Sequence, residues 1–364
     1  MNLKRLLANT RLLQGIPAPT FHEQERAAAL RLRLEELPNV ALDSDPIGNL
    51  YARLPGGGEP PLVISAHLDS VFPRSTSLDV REEYNRLFGP GIGDNALGLA
   101  CLIELAADLG MQDLPCDVWL VANTAEEGLG NLVGMQAVVD RFDSLPSAYL
   151  VIEGMALGYI YHRGLPIRRY RISIRGPGGH AWVHAGRPSA LHALLHVGDR
   201  IGRIRLPRRP VTTLNIGTIQ GGSSINTIAA EAHLDLEIRS ETGWILDRLD
   251  RTIQRICESR NLPKPLRVEC ELIGERPKGE IPAEHPLVQL ACQVTRDQAG
   301  ITPELGVAST DASQPLSRGF PAICIGLTRG GNAHSMQEYI DILPIASGYS
   351  ALMKLIQIWT GMDS

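Results

Sequence analysis

The sequence predicts an α/β protein: a mostly parallel sheet with helices on both faces, interrupted by a smaller α+β domain. Three observations carry this reading. Apolar runs of strand length alternate with helical patterns up to about residue 155. From Ile167 the strands change to polar–apolar alternation, the mark of a sheet with one solvated face. After Gly274 the first texture returns, so the first domain is split by an insertion. The boundaries read this way are 1–165 and 275–364 for the split domain and 166–274 for the inserted one.

Taken in order, MNLKRLLANTRLLQ is an amphipathic helix ending near Gly15, because Arg5, Arg11 and Gln14 interrupt the leucines at helical spacing. LVISAH, VWLVANT and AYLVIEG are buried strands, separated by the helical stretches NALGLACLIELAADLG and GMQAVVDRF. Pro/Gly patches such as LPGGGEPP are short enough to be turns. In the insertion, RRYRISIRG, TLNIGTIQG and EAHLDLEIRS are half-buried strands, and HALLHVGDRIGRI and GWILDRLDRTIQRICES are helices. LVQLACQVTRDQ (helix), AICIGL (strand) and a closing helix at Ser347 to Trp359 complete the split domain.

At 364 residues the chain exceeds a single small module, and 44% hydrophobic with 21% charged residues supplies a sizeable core. The net charge of -5 and pI near 6.1 provide no general attraction for nucleic acid or an anionic membrane. The one basic cluster, RIRLPRRP, lacks interleaved aromatics for stacking bases, so no nucleic-acid partner is expected. No run approaches the ~18 apolar residues of a membrane span, and no apolar signal segment with a cleavage site follows the first helix. Six cysteines form no Cys-x-x-Cys pair; reduced thiols in a cytoplasmic protein are the expectation.

Acidic and imidazole residues recur at strand ends, where α/β sheets present ligands. LVISAHLDS ends in His67 and Asp69; at period two both point the same way, so Asp69 can fix the tautomer of His67. Asp94 directly precedes a helix, as a helix cap or a ligand. Glu126 and Glu127 follow a third strand, where they either begin a solvated helix or are held by a cation. Glu153 ends a fourth strand, and His334 follows two glycines. Each has an ordinary reading alone, but five such sites at successive strand ends are not independent accidents. Two imidazoles and three carboxylates (His67, Asp94, Glu127, Glu153, His334) suit two divalent ions sharing one carboxylate, with zinc the leading candidate. Glu126, uncommitted beside a ligand, can serve as general base and then general acid. There is no Gly-x-Ser-x-Gly elbow for a serine hydrolase.

This ordered set resembles the dinuclear zinc metallopeptidases and amidohydrolases that include peptidase T, carboxypeptidase G, aminoacylase and succinyl-diaminopimelate desuccinylase. The resemblance spans almost the whole chain. It implies that Asp94 bridges, that one ion takes His67, Asp94 and Glu153, and that the other takes Asp94, Glu127 and His334. It also implies a cis peptide between Asp94 and Asn95, and makes the insertion a lid and homodimerisation domain. GPGGHAWVHAG is similar to the segment that places a lid histidine over the partner subunit's active site, matching His180 with His184 as runner-up. SINTIAAEAHLDLEIRS is similar to the stretch supplying a substrate-binding Asn and Arg, here Asn226 and Arg239. The sequence departs from the common pattern at Asn95, Trp182 and Ser189, none a proposed ligand.

The expected function is therefore hydrolysis of a peptide or N-acyl amide bond in a small substrate by two zinc ions per chain, with cobalt or manganese as substitutes. Exopeptidase action on short peptides leads, with N-acyl amino acid deacylation or desuccinylation as the alternative. A non-catalytic binder of amino-acid derivatives is the other class, but it has no chemical reason to keep Glu126.

Overall fold

The computed structural model describes residues 1–362, the side chain of Ser259 excepted. The chain forms two compact units, Met1–Gly164 with Gly279–Ser364, and Leu165–Lys278.

The first unit is built on an eight-stranded sheet that bears out the α/β class. Its centre is parallel: Leu62–Ser65 runs beside Ala148–Val151, and Ala148–Ile152 beside Ala322–Ile325 in register from Tyr149↔Ala322 to Ile152↔Ile325. The long strand Leu50–His67 folds around Cys116–Asn123. Its first half pairs Leu50 with Ala122 and Leu54 with Val118; its second pairs Leu62 with Val118 and His67 with Asn123. The Pro/Gly stretch makes this change of side, and a Cβ on Gly56 would lie 2.0 Å from the carbonyl oxygen of Cys116. The strands ending at His67, Asn123 and Ile152 thus run in one direction and release the chain at one sheet edge. Helices Leu3–Gln14, Gln24–Glu35 and Leu97–Leu109 pack together, as do Pro286–Ala299 and Ile345–Thr360. Leu97–Leu109 is apolar around nearly its whole circumference because it lies against both the sheet and the first helix. A small sheet of Gly330–Gly331, Tyr339–Asp341, Arg86–Phe88 and Arg81–Glu83 joins the C-terminal part of the chain to the segment before Asp94.

The second unit is an antiparallel sheet in the order Thr212–Gly221, Glu231–Ser240, Ile167–Arg175, Arg267–Arg276. One face packs on helices Ala190–Gly202 and Gly243–Ile256 around Ile172, Leu194, Leu234 and Ile253. On the other, directly opposed residues form charge pairs, Arg169 with Glu237 and Arg171 with Asp235, the latter bidentate at 2.8 and 2.9 Å. Alternating burial along Glu231–Ser240 matches the polar–apolar pattern of its sequence. All six cysteines are free. Among the described residues no helix is long and apolar enough to cross a membrane.

Candidate metal centre

His67, Asp94, Glu127, Glu153 and His334 come together in the first unit around the carboxylate of Asp94. His67 Nε2 lies 3.0 Å from Asp94 Oδ1 and 3.8 Å from Glu153 Oε2. His334 Nε2 lies 3.1 Å from the other oxygen, Asp94 Oδ2, and 3.2 Å from Glu127 Oε1. Asp94 therefore stands between two half-sites, each with one imidazole and one further carboxylate. His67, Asp94 and Glu127 offer ligand atoms that all lie within 4.8 Å of one another. The peptide between Asp94 and Asn95 is cis, as the resemblance implies. Asp94 does not cap the following helix: Ala96 occupies that position, and the Asp94 backbone is non-helical, which turns its carboxylate toward the imidazoles.

The electrostatics follow from crowding acids around two rings. Burial disfavours a charged His67, yet Asp69, Asp94 and Glu153 outweigh it and hold its pKa well above the ordinary value. Asp94 and Glu127 push His334 up to about 10. Burial also opposes ionisation of Asp94, but His334 and His67 bring its pKa well below the usual carboxylate range. Glu153 is pushed up to about 7, chiefly by burial. These are the properties of a donor set built for more positive charge than its own side chains carry. Hard and borderline oxygen and nitrogen donors, with one carboxylate shared, fit two divalent cations.

A second layer holds this set in place. His67 Nδ1 is 3.1 Å from the backbone carbonyl of Asp69 and 3.4 Å from its carboxylate, so the ring is oriented with Nε2 toward Asp94. The Asp69 carboxylate mainly serves the Glu126–Glu127 turn: Oδ1 accepts the N–H of Glu126 and Oδ2 that of Glu127, both at 2.9 Å, and Oδ2 also accepts Thr20 Oγ1 at 2.8 Å. The two preceding N–H groups are captured as well, Thr124 by Asn49 Oδ1 at 2.9 Å and Ala125 by Glu23 Oε1 at 3.1 Å. Four successive backbone donors thus end on buried side chains. Arg26, 1% exposed, donates to the carbonyls of Ile16 and Leu68 and lies by Asp69 and Glu23. Asn95 donates to the carbonyl of Ile152 and accepts the N–H of Gly154, tying Asp94 to the strand end that carries Glu153. Asn123, at the strand end before the turn, donates to buried Asp311 at 2.7 Å. Asn49, Glu23, Asp311 and Glu338 escape sequence reasoning, since a lone polar residue in a mixed segment has no periodic signal. Glu126 is buried at 5% exposure beside Glu127.

In the second unit, His180 pairs with Thr227 across a short two-stranded ribbon, and the N–H of Ala181 donates to the Asn226 carbonyl. His180 is exposed, and its Nδ1 accepts the N–H groups of Trp182 and Val183 at 3.2 and 3.3 Å, which leaves the ring proton on Nε2. His184 is half-buried and its Nδ1 accepts the His180 N–H at 2.9 Å, a supporting position. Trp182 is 85% exposed. Arg239 pairs with Glu237 and lies opposite Ile167, while the ribbon follows the other end of the sheet, beyond Arg175 and Glu231. Eight residues of strand separate those registers, roughly 27 Å at an antiparallel rise.

A model of Peptidase family M20/M25/M40 matches residues 63–358, a span that includes all five clustered side chains. The chain belongs to this family of hydrolases. It is 25% identical over 313 residues to an acetylornithine deacetylase of Klebsiella pneumoniae (strain 342), covering 79% of this chain and 77% of that one. A tripeptidase from Staphylococcus aureus subsp. aureus Mu50 has the same fold, with a TM-score of 0.82 at 21% identity over 99% of both chains. A dinuclear metal-binding M20 peptidase from Bacillus subtilis superposes with a TM-score of 0.68 at 17% identity, covering 99% of this chain and 98% of that one. The family read from the ordered residues is thereby borne out.

Proposed function

We propose that this M20 protein is a dinuclear-metal hydrolase that cuts a peptide bond in a short peptide bearing a free carboxylate, acting as an exopeptidase. The observation that carries this reading is Asp94, whose two oxygens each face a different imidazole at 3.0 and 3.1 Å. His67, Asp94 and Glu153 would hold one ion, and Asp94, Glu127 and His334 the other. Ions held there, zinc in this reading with cobalt or manganese as substitutes, would polarise the scissile carbonyl and acidify a water. Glu126 takes the proton of the attacking water and returns it to the leaving amine. Asp69 orients His67 and holds the Glu126 and Glu127 N–H groups, so base and ligand move as one turn.

The second unit is proposed to be a lid through which the chain forms a homodimer. His180, with its proton on the outward Nε2, is suited to donate to the oxyanion, and Asn226 lies on the same ribbon. Arg239, at the opposite end of the sheet, would bind the substrate carboxylate. The ribbon that carries His180 follows the Arg175–Glu231 end of the sheet while Arg239 stands at the other end, an arrangement that supports His180 serving the active site of a second copy. Six free cysteines support a reducing, cytoplasmic setting.

N-acyl amino acid deacylation is the second reading, favoured by the acetylornithine deacetylase relative. The deciding experiment screens zinc- or cobalt-loaded protein against di- and tripeptides beside N-acetyl and N-succinyl amino acids. Turnover of peptides alone supports the exopeptidase, turnover of acyl amino acids alone the deacylase, and binding without turnover of either refutes both.

A further inference from the structure

Glu338 lies four residues beyond His334 and has no part in the chemistry above. Its side chain is fully buried, and its carboxylate meets backbone: Oε1 accepts the N–H groups of Gly93 and Asp94 at 2.8 and 3.0 Å, and Oε2 that of Gly91 at 3.1 Å. Its own backbone continues the connection, its carbonyl accepting the Gly89 N–H at 2.9 Å and its N–H donating to the Ser335 carbonyl at 3.1 Å. The loop before Asp94 also packs tightly where it carries Gly93: a Cβ there would lie 2.3 Å from Met155 Cγ and 2.8 Å from Cγ2 of Ile340, two residues beyond Glu338.

Burying a carboxylate on neutral donors alone is costly, and a glutamine in its place would satisfy two of the three N–H groups and oppose the third with its own NH₂. What the carboxylate achieves is to fix the backbone that carries Asp94 to the segment that carries His334. We propose that Glu338 is a positioning residue that assembles the half-site of Asp94 Oδ2, Glu127 and His334 before its cation arrives. This rests on the two-metal reading. Two of that half-site's three ligands lie on the segments Glu338 joins. In the half-site of His67, Asp94 and Glu153 only one does, and there Asn95 provides a separate tie to the Glu153 strand end. Loss of Glu338 therefore falls on one ion more than on the other.

The test titrates metal-free wild type, Glu338→Gln, Glu338→Asp and Asp94→Asn with cobalt by calorimetry, and measures the melting temperature of each without metal. Wild type should take up two ions. Glu338→Gln should keep one at near wild-type affinity and bind the other about tenfold to a hundredfold more weakly, the range for residues that orient metal ligands. Glu338→Asp, which keeps the charge but withdraws it by one methylene, should show the same selective loss and serves if the glutamine variant does not fold. A brace with no part in metal binding would instead lower the metal-free melting temperature and leave both affinities unchanged, which overturns the proposal, as does an equal loss at both sites. If wild type binds fewer than two ions, or Asp94→Asn binds both as tightly as wild type, the two-metal reading fails first and the role of Glu338 falls with it.

Discussion

Replacing Asp69 by Asn tests whether the second layer sets the position of the reactive carboxylates. Asp69 is fully buried, and its two oxygens each accept one backbone N–H of the Glu126–Glu127 turn at 2.9 Å. Asparagine has one acceptor oxygen and one NH₂ group, so whichever way the amide turns, either Glu126 or Glu127 loses its acceptor. Thr20 can adjust, since its hydroxyl accepts as readily as it donates. A buried N–H without an acceptor costs about 1–3 kcal/mol, and the surviving bond drops from a charged to a neutral acceptor, for a total of about 2–4 kcal/mol. Arg26 also loses one of its two neighbouring carboxylates. Chemical denaturation of metal-free protein should register this loss, and kcat should fall by at least about tenfold as Glu126 and Glu127 shift. Thr20→Ala is the control: it removes one of the three bonds to Asp69, leaves both backbone N–H groups bound and should cost about 1 kcal/mol. An Asp69→Asn enzyme with wild-type stability and kcat would refute the claim that this carboxylate holds the turn.

Glu126→Gln should bind both metals and fold normally while losing about 10²–10⁴ in kcat, because the amide cannot take the water's proton; unchanged turnover removes Glu126 as the base. In the metal-free protein, His334 is raised from its ordinary 6.5 to about 10 and Glu153 from 4.5 to about 7, so both favour the folded state at low pH. The contribution of His334 is complete below about pH 6.5 and lost as pH rises through about 10; that of Glu153 is complete below about 4.5 and lost through about 7. The metal-free melting temperature should therefore fall between pH 5 and 10, and a flat or rising profile contradicts the assignment. Mixing Glu126→Ala with His180→Ala chains should restore activity once subunits exchange, because one site of each heterodimer then has both residues intact; no recovery despite demonstrated exchange places His180 in its own chain's site.

The fold was legible where burial imposed a period. Apolar runs ending at His67, Asn123 and Ile152 read as buried strands, and parallel strands release their C-termini on one side, so the order of acidic and imidazole residues along the sequence already implied a shared edge. The double use of Leu50–His67 on both sides of Cys116–Asn123 was not legible, since a Pro/Gly turn reveals a change of direction and not the strand it passes around. Two- and three-residue strands such as Gly330–Gly331 and Arg86–Phe88 are too short for any period, yet they bring the His334 segment to the Asp94 loop.

The second layer was hidden for a different reason. Arg26 lies in QERAAALRLRLE, where it reads as one exposed charge among several, but the fold buries it at 1% exposure beside Glu23 and Asp69. Glu23, Asp69 and Glu338 take backbone N–H groups from loops remote in sequence, a role set by which loops meet and by no local pattern. One consequence is a division of labour among the buried acids. Glu23 and Asp69 have Arg26 and three of the N–H groups of the Thr124–Glu127 turn to balance them, whereas Asp94, Glu127 and Glu153 face two imidazoles that must give up their protons to act as ligands. The inner set is therefore balanced by protons or by metal ions, in exchange with one another. Metal uptake at neutral pH should accordingly be proton-linked, which makes the pH profile of the metal-free protein and the metal stoichiometry two measurements of the same uncompensated charge.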